Sequence, residues 1–285
     1  MPASSIAFAV LSAVLMGTIG VFAKITGLAS ETITFFRLML GAAFMLLFLI
    51  GTGKTATIRT WPSWPVLING CFLAGFIIFY VQAMHYTTMA NAIMMIYLAP
   101  LAASVIAHFF LDERLNFLAV LLILVALFGF AMMMEFKLDL SHGSKQAIGI
   151  LFGMLSLISY AGFILINRTI PANIHVYTRT FYQLLTGAVV MIPFTLIAGD
   201  HLTLGQLPWL LAIGLLPGFL AILFAVIALS QMPAATFGTL AYMEPVAVII
   251  FGWTIFGETL NPMQICGCLL IIASGIAKAL SIRAE

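Results

Sequence analysis

The sequence predicts an all-α integral membrane protein with ten transmembrane helices in two inverted five-helix repeats. Three observations carry that expectation: too little charge for a water-facing surface, apolar runs of membrane length along the whole chain, and a residue pattern that recurs after half the chain. Of 285 residues, 64% are hydrophobic and 7% are charged, whereas a soluble domain carries about 25% charged residues. That composition excludes an ordinary cytosolic globule and a disordered chain alike. The net charge of +2 is spread thinly and forms no basic stripe, so nucleic acid is not an expected partner. The expected partners are the lipid bilayer and a small-molecule substrate, with a monomer sufficient to enclose a path.

A helix needs about 20 apolar residues to cross roughly 30 Å of hydrocarbon. Runs of that kind, bounded by polar residues, Pro or Gly, lie at 4–23, 32–50, 65–84, 90–111 and 117–134, then at 147–166, 176–198, 207–229, 234–256 and 262–281. The first run has no positive segment before it and exceeds a signal-peptide core in length, so it is expected to be a retained span. Strand alternation is absent, and only helices or closed barrels satisfy the backbone in lipid. Asn116 before Phe117 and Asn261 before Pro262 supply helix N-caps. Small residues four apart, Ala13 with Gly17 and Gly149 with Gly153, permit close helix approach. Cys71, Cys266 and Cys268 lie in apolar runs without CxxC spacing and are expected to be buried apolar residues. Lys and Arg fall seven against four in favour of both termini on the cytoplasmic side. Lys54, Arg59, Arg114, Arg168, Arg179, Lys278 and Arg283 would then be inside, with Lys24, Arg37, Lys137 and Lys145 outside.

The repeat is the most specific feature. Tyr97, Pro100, Glu113, Leu115 and Asn116 recur as Tyr242, Pro245, Glu258, Leu260 and Asn261, each after a shift of 145. Upstream, Phe35, Leu38, Gly41 and Ala42 match Phe181, Leu184, Gly187 and Ala188 at 146. Gly75-Phe76 matches Gly218-Phe219 at 143, and Lys24 matches Arg168 at 144. The chain thus divides into a first repeat, 1–139, and a second, 145–285, within one membrane domain. Because five spans is an odd number, the second repeat enters the membrane inverted, an architecture associated with alternating access around a site between the halves.

On the Pro100 and Pro245 helices and the glutamate loops Asp112-Glu113-Arg114-Leu115 and Gly257-Glu258-Thr259-Leu260, the chain resembles the EamA type of the drug/metabolite transporter superfamily. The resemblance covers essentially its whole length. Within that family it is most similar to the bacterial aromatic amino acid exporters. What the resemblance implies is an inner-membrane exporter of small metabolites with a central cavity lined from both halves.

Ionisable groups inside spans are costly and mark function. Glu244 lies near the middle of the ninth run, while its repeat counterpart is Ala99, so the repeat itself demands no carboxylate there. It is a candidate for binding a substrate ammonium or a coupling proton, the alternative being a protonated carboxyl bonded to carbonyls freed by Pro245. Arg37 lies about one turn into the second run, where it could snorkel to the interface. Tyr80, Tyr97, Tyr160, Phe163, Tyr242 and Trp253, with Gln82, Met84, Asn91 and Met94 nearby, are further candidates for the cavity wall. Rings and thioethers there would accept neutral or zwitterionic ligands of varied shape. Pro100, Pro193, Pro217 and Pro245 are candidate hinges. Glu113, Asn116, Glu258 and Asn261 are expected to stabilise loops and helix starts. His85 and His108 near span ends, and His142, His175 and His201 in loops, form no metal spacing.

No nucleophile-and-base set, HExxH or paired intramembrane acid suggests an enzyme. No P-loop occurs, so no cofactor is expected and gradients would drive transport. The expected function is export of small amphiphilic metabolites, foremost neutral and aromatic amino acids. Lipophilic cations held by Glu244 and phosphorylated sugars held by Lys24 and Arg168 are the alternatives.

Overall fold

Among the described residues every regular element is a helix, as a backbone that must satisfy its own polar groups in hydrocarbon requires. The computed structural model describes residues 3–58, 62–87, 89–113, 116–136 and 144–284. Arg59, Arg114, Leu115, Lys137 and His142 lie outside them, as does the side chain of Arg283. The first half contains α1 (Ala3–Thr26), α2 (Ser30–Gly51), α3 (Trp64–Tyr86), α4 (Met89–Tyr97), α5 (Ala99–Phe110) and α6 (Phe117–Met133). The second contains α7 (Ser144–Thr169), α8 (Val176–Ala198), α9 (Leu207–Ile213), a π-helical segment (Gly214–Leu220), α10 (Ala221–Gln231), α11 (Ala234–Ala241), α12 (Met243–Phe256) and α13 (Pro262–Ala284). Nine stretches among the described residues are long and apolar enough to cross a membrane. The remaining expected span forms the shorter α6, 17 residues long.

Three expected spans are not uniform helices, and a proline accounts for each. Pro100 and Pro245 lack the N–H that would continue the ladder, and the fourth and ninth spans break just before them, at Leu98 and Tyr242. Pro217 sits inside the π-helical segment, where the wider turn relieves its clash with the preceding turn. Pro193 lies within continuous α8 on its exposed side.

The expected caps form. Asn116 Oδ1 accepts the Ala119 N–H at 2.7 Å. Asn261 and Gln264 bond each other's backbone N–H reciprocally, at 2.8 and 3.2 Å. Asn116→Ala is expected to cost about 1 kcal/mol, read as a lower unfolding temperature in detergent. An unchanged temperature would show that α6 is held by packing alone. His175, which caps α8 by accepting the Tyr177 N–H, has its pKa lowered by desolvation and by Lys54 and Arg179.

The helices pack in pairs that the repeat exchanges. α1 on α10 corresponds to α7 on α3, α1 on α12 to α7 on α5, and α2 on the π-helical segment to α8 on α3. α2 with α8 and α6 with α13 join equivalent helices. Small residues make these contacts close: a Cβ at Gly17 would lie 2.9 Å from Ala247 Cβ, and one at Gly149 would lie 2.7 Å from Thr87 Cβ. The outer surface is apolar, with Leu47, Leu196 and Ile197 all exposed, which suits a face against lipid. Cys71 and Cys266 are on this outer surface rather than buried, and Cys268 is only partly covered. Helical periodicity turns them outward, and hydrocarbon accepts a small thiol as readily as a core does.

Candidate functional site

A cavity of about 320 Å³ lies between the two halves. Its wall is mostly apolar. α1 contributes Ala9, Ser12, Met16 and Ala23, α2 Ser30, Thr34 and Arg37, and α3 Phe76 and Tyr80. Tyr97 ends α4 at the Leu98 break, while Tyr160 and Phe163 come from α7, Phe237 from α11 and Glu244 from the first turn of α12. The cavity therefore runs along most of α1, from Ala9 to Ala23, and reaches the α1–α2 turn at Ser30. Its polar lining is sparse, as in most small-ligand pockets.

Of the residues singled out in the sequence, Tyr80, Tyr97, Tyr160, Phe163 and Glu244 meet here. Tyr160 is braced by Phe76, with ring centroids 5.1 Å apart. Among the described residues, nothing accepts a hydrogen bond from the Tyr80, Tyr97 or Tyr160 hydroxyls.

The other candidates lie elsewhere. Trp253 is 58% exposed on the outer face, because α12 presents that side away from α1. Met94 packs into the cluster around Phe130 and Ile123. Asn91 is a helix-local residue that donates to Thr87 Oγ1 at 3.0 Å. Gln82 and Met84 are partly buried on α3 but do not reach the wall. Tyr242 stands one layer behind. Fully buried, it donates its hydroxyl to the Tyr97 carbonyl, which the helix break leaves without a backbone partner, and its ring lies 5.7 Å from that of Tyr97. Tyr242→Phe strands that carbonyl and is expected to cost about 1–2 kcal/mol, measured by thermal unfolding. No loss of stability would mean that the break satisfies itself.

Arg37 is the residue that sequence position misassigns. Instead of reaching the interface it is 3% exposed, because its face of α2 packs on the π-helical segment, where Gly218 lies against the Arg37 carbonyl. Arg37 and Glu244, of opposite formal charge, line the same cavity from α2 and α12.

Among the described residues, two ion pairs join the halves at opposite ends of the bundle. Ser5, near the start of α1, donates to Gln231 at the end of α10. Lys24 lies 19 residues further along α1, about 29 Å at the helical rise. There Lys24 Nζ meets Glu258 Oε1 at 2.7 Å, with both side chains 53% exposed. Gly257, in the left-handed region at φ 65°, ends α12 and turns the chain toward that contact. At the Ser5 end, Arg168 Nε meets Glu113 Oε1, also at 2.7 Å, with side chains only 23% and 12% exposed. Glu113 Oε2 also accepts the Ala234 N–H at the start of α11 (2.8 Å), and Arg168 Nη1 donates to the Leu229 carbonyl (2.9 Å). Glu113 thus does stabilise a helix start, but that of a helix in the other half.

Known proteins match along nearly the whole chain. It is 27% identical to an uncharacterized transporter of Archaeoglobus fulgidus, over 93% of this chain and 92% of that one. It is 29% identical to the threonine/homoserine exporter RhtA of Salmonella typhimurium, over 78% and 72%. It is 27% identical to the pseudopaline exporter CntI of Pseudomonas aeruginosa, over 88% and 86%. A solved crystal structure shares its fold with a TM-score of 0.86 at 19% identity, covering 99% of this chain and 100% of that one. The model of the EamA-like transporter family matches residues 3–135 and again 147–277, so a multi-pass helical chain with a cavity between its halves belongs to the EamA-like transporter family.

Proposed function

We propose that this chain exports small amphiphilic metabolites, foremost neutral and aromatic amino acids, by alternating access of the central cavity between two inverted five-helix repeats. The observation that carries this reading is the composition of the cavity wall. One carboxylate, Glu244, faces rings contributed by both repeats, Tyr80 and Tyr97 from the first and Tyr160 and Phe163 from the second. A carboxylate matches a substrate ammonium, and the rings match an apolar side chain. The names of two relatives, a threonine/homoserine exporter and a pseudopaline exporter, support small-molecule export.

Inversion is supported by the family model matching twice and by contacts that exchange under the repeat. In the state described, the cavity reaches the α1–α2 turn while the Glu113–Arg168 pair fastens the opposite end. With both termini cytoplasmic, this is an outward-facing state in a bacterial inner membrane. Pro100, Pro217 and Pro245, beside broken or widened turns, are the proposed hinges, whereas Pro193 lies in an unbroken helix. A single copy encloses the path. Lys24 and Arg168, which a phosphorylated sugar would require, are already engaged by Glu258 and Glu113.

The test is uptake of labelled phenylalanine into proteoliposomes, competed with unlabelled amino acids, a sugar phosphate and a lipophilic cation. Competition by neutral amino acids alone is the expected result. No phenylalanine uptake under any imposed gradient would end the amino-acid reading.

A further inference from the structure

Two arginines are buried to the same degree in this bundle, and they differ in what satisfies them. Arg179 and Arg37 are each 3% exposed. Arg179 donates Nε to the Ile174 carbonyl at 3.0 Å, Nη2 to the Pro171 carbonyl at 2.9 Å and Nη1 to the Asn167 carbonyl at 3.4 Å. It is a structural residue that closes the turn before α8. Arg37 has no such set. Among the described residues its Nε and Nη2 are without partners, and Nη1 has only the Met16 thioether, at 3.8 Å. A buried guanidinium left this way in a membrane domain costs several kcal/mol, so its retention needs a reason beyond folding.

The repeat shows that the fold does not supply that reason. At the shift of 146 that aligns Phe35 with Phe181 and Leu38 with Leu184, Arg37 falls on Gln183. Gln183 is a neutral side chain that donates to Asn167 Oδ1 at 3.0 Å. Glu244 likewise falls on Ala99. Each charge is present in one repeat and absent from the other. Both line the same cavity, one from the first repeat and one from the second.

The geometry points to Arg37 as the residue that binds the substrate's carboxylate, making the cavity a two-point site that selects zwitterionic α-amino acids through Arg37 and Glu244. This rests on the reading of the cavity as an amino-acid site and assigns the half of the ligand which that reading leaves without a partner. A carboxylate entering the cavity replaces a weak sulfur acceptor, which is itself part of the wall, with an ionised oxygen, and such charge-assisted pairs are among the stronger hydrogen bonds. The guanidinium fork suits a planar carboxylate better than a lysine would. A free amine without a carboxylate leaves Arg37 unpaired beside a second cation, so lipophilic cations are selected against.

The test measures calorimetric binding of three ring compounds to the purified full chain in detergent: phenylalanine, phenethylamine, which lacks the carboxylate, and 3-phenylpropionate, which lacks the ammonium. The wild type is expected to prefer phenylalanine to phenethylamine by about tenfold or more. In Arg37→Gln, which reproduces the residue of the other repeat, that preference should fall to within about twofold. Arg37→Met, which brings no polar group to bury, is the second neutral variant. The ligand-free unfolding temperature identifies which of them is folded. A folded neutral variant that keeps the wild-type preference overturns the assignment. If wild type binds 3-phenylpropionate but not phenylalanine, and a neutral variant loses it, the carboxylate subsite stands and the amino-acid reading falls. If neither carboxylated compound binds wild type, the carboxylate subsite falls.

Discussion

Arg168→Gln is expected to destabilise the protein by about 2–3 kcal/mol and to open the end of the cavity near Ser5 and Glu113. The pair it breaks is largely shielded from water, and removing one partner leaves Glu113 charged and uncompensated. Lys24→Gln breaks the counterpart pair, which is half exposed, and surface pairs of that kind are worth at most about 1 kcal/mol. The two variants therefore differ although the two bonds have the same length. A pair that forms only in one state biases that state, and 2–3 kcal/mol moves a two-state population by about 30- to 150-fold. Both effects are measurable: thermal unfolding in detergent, and labelling of a cysteine at Ala9, on the cavity wall, with reagent added from either side after the three native cysteines are replaced. More labelling from the Glu113 side in Arg168→Gln, and not in Lys24→Gln, is the expected pattern. Equal behaviour of the two variants would reduce both pairs to ordinary loop fastenings.

Glu244→Gln is expected to lower phenylalanine uptake by about 10- to 100-fold, the worth of one charge-assisted hydrogen bond to the ammonium. Folding should survive, because Ala99 fills the equivalent place in the first repeat without a carboxylate. Arg37 then remains the charged residue of the cavity wall, and 3-phenylpropionate should become a better competitor than phenylalanine. Full uptake at every pH would remove Glu244 from the mechanism. A loss of uptake without that change of preference would leave Glu244 acting on protons rather than on the substrate.

Much of this protein was legible in its sequence because the bilayer is a simple constraint. A helix must be apolar for a membrane's thickness, so the spans were readable from length alone, and the caps at Asn116 and Asn261 follow from local bonding within one turn. The repeat was visible because its matches keep a fixed register along the chain, and the helix breaks at Leu98 and Tyr242 follow from Pro100 and Pro245, which lack an N–H, whereas Pro193 leaves α8 unbroken. What the sequence could not convey was direction. Lipid and protein core are equally apolar, so no amphipathic stripe tells which side of a membrane helix faces inward. Trp253 and Glu244 are nine residues apart on one span, yet one faces outward and the other lines the cavity. Arg37 looked free to snorkel until the π-helical segment was found packed across its face. Glu113 and Glu258 looked local until their partners proved to be in the opposite halves, 55 and 234 residues away. Those pairings, and the placing of Arg37 and Glu244 on one cavity wall, exist only once the two halves interlock, because contacts between distant segments leave no periodic trace along the chain.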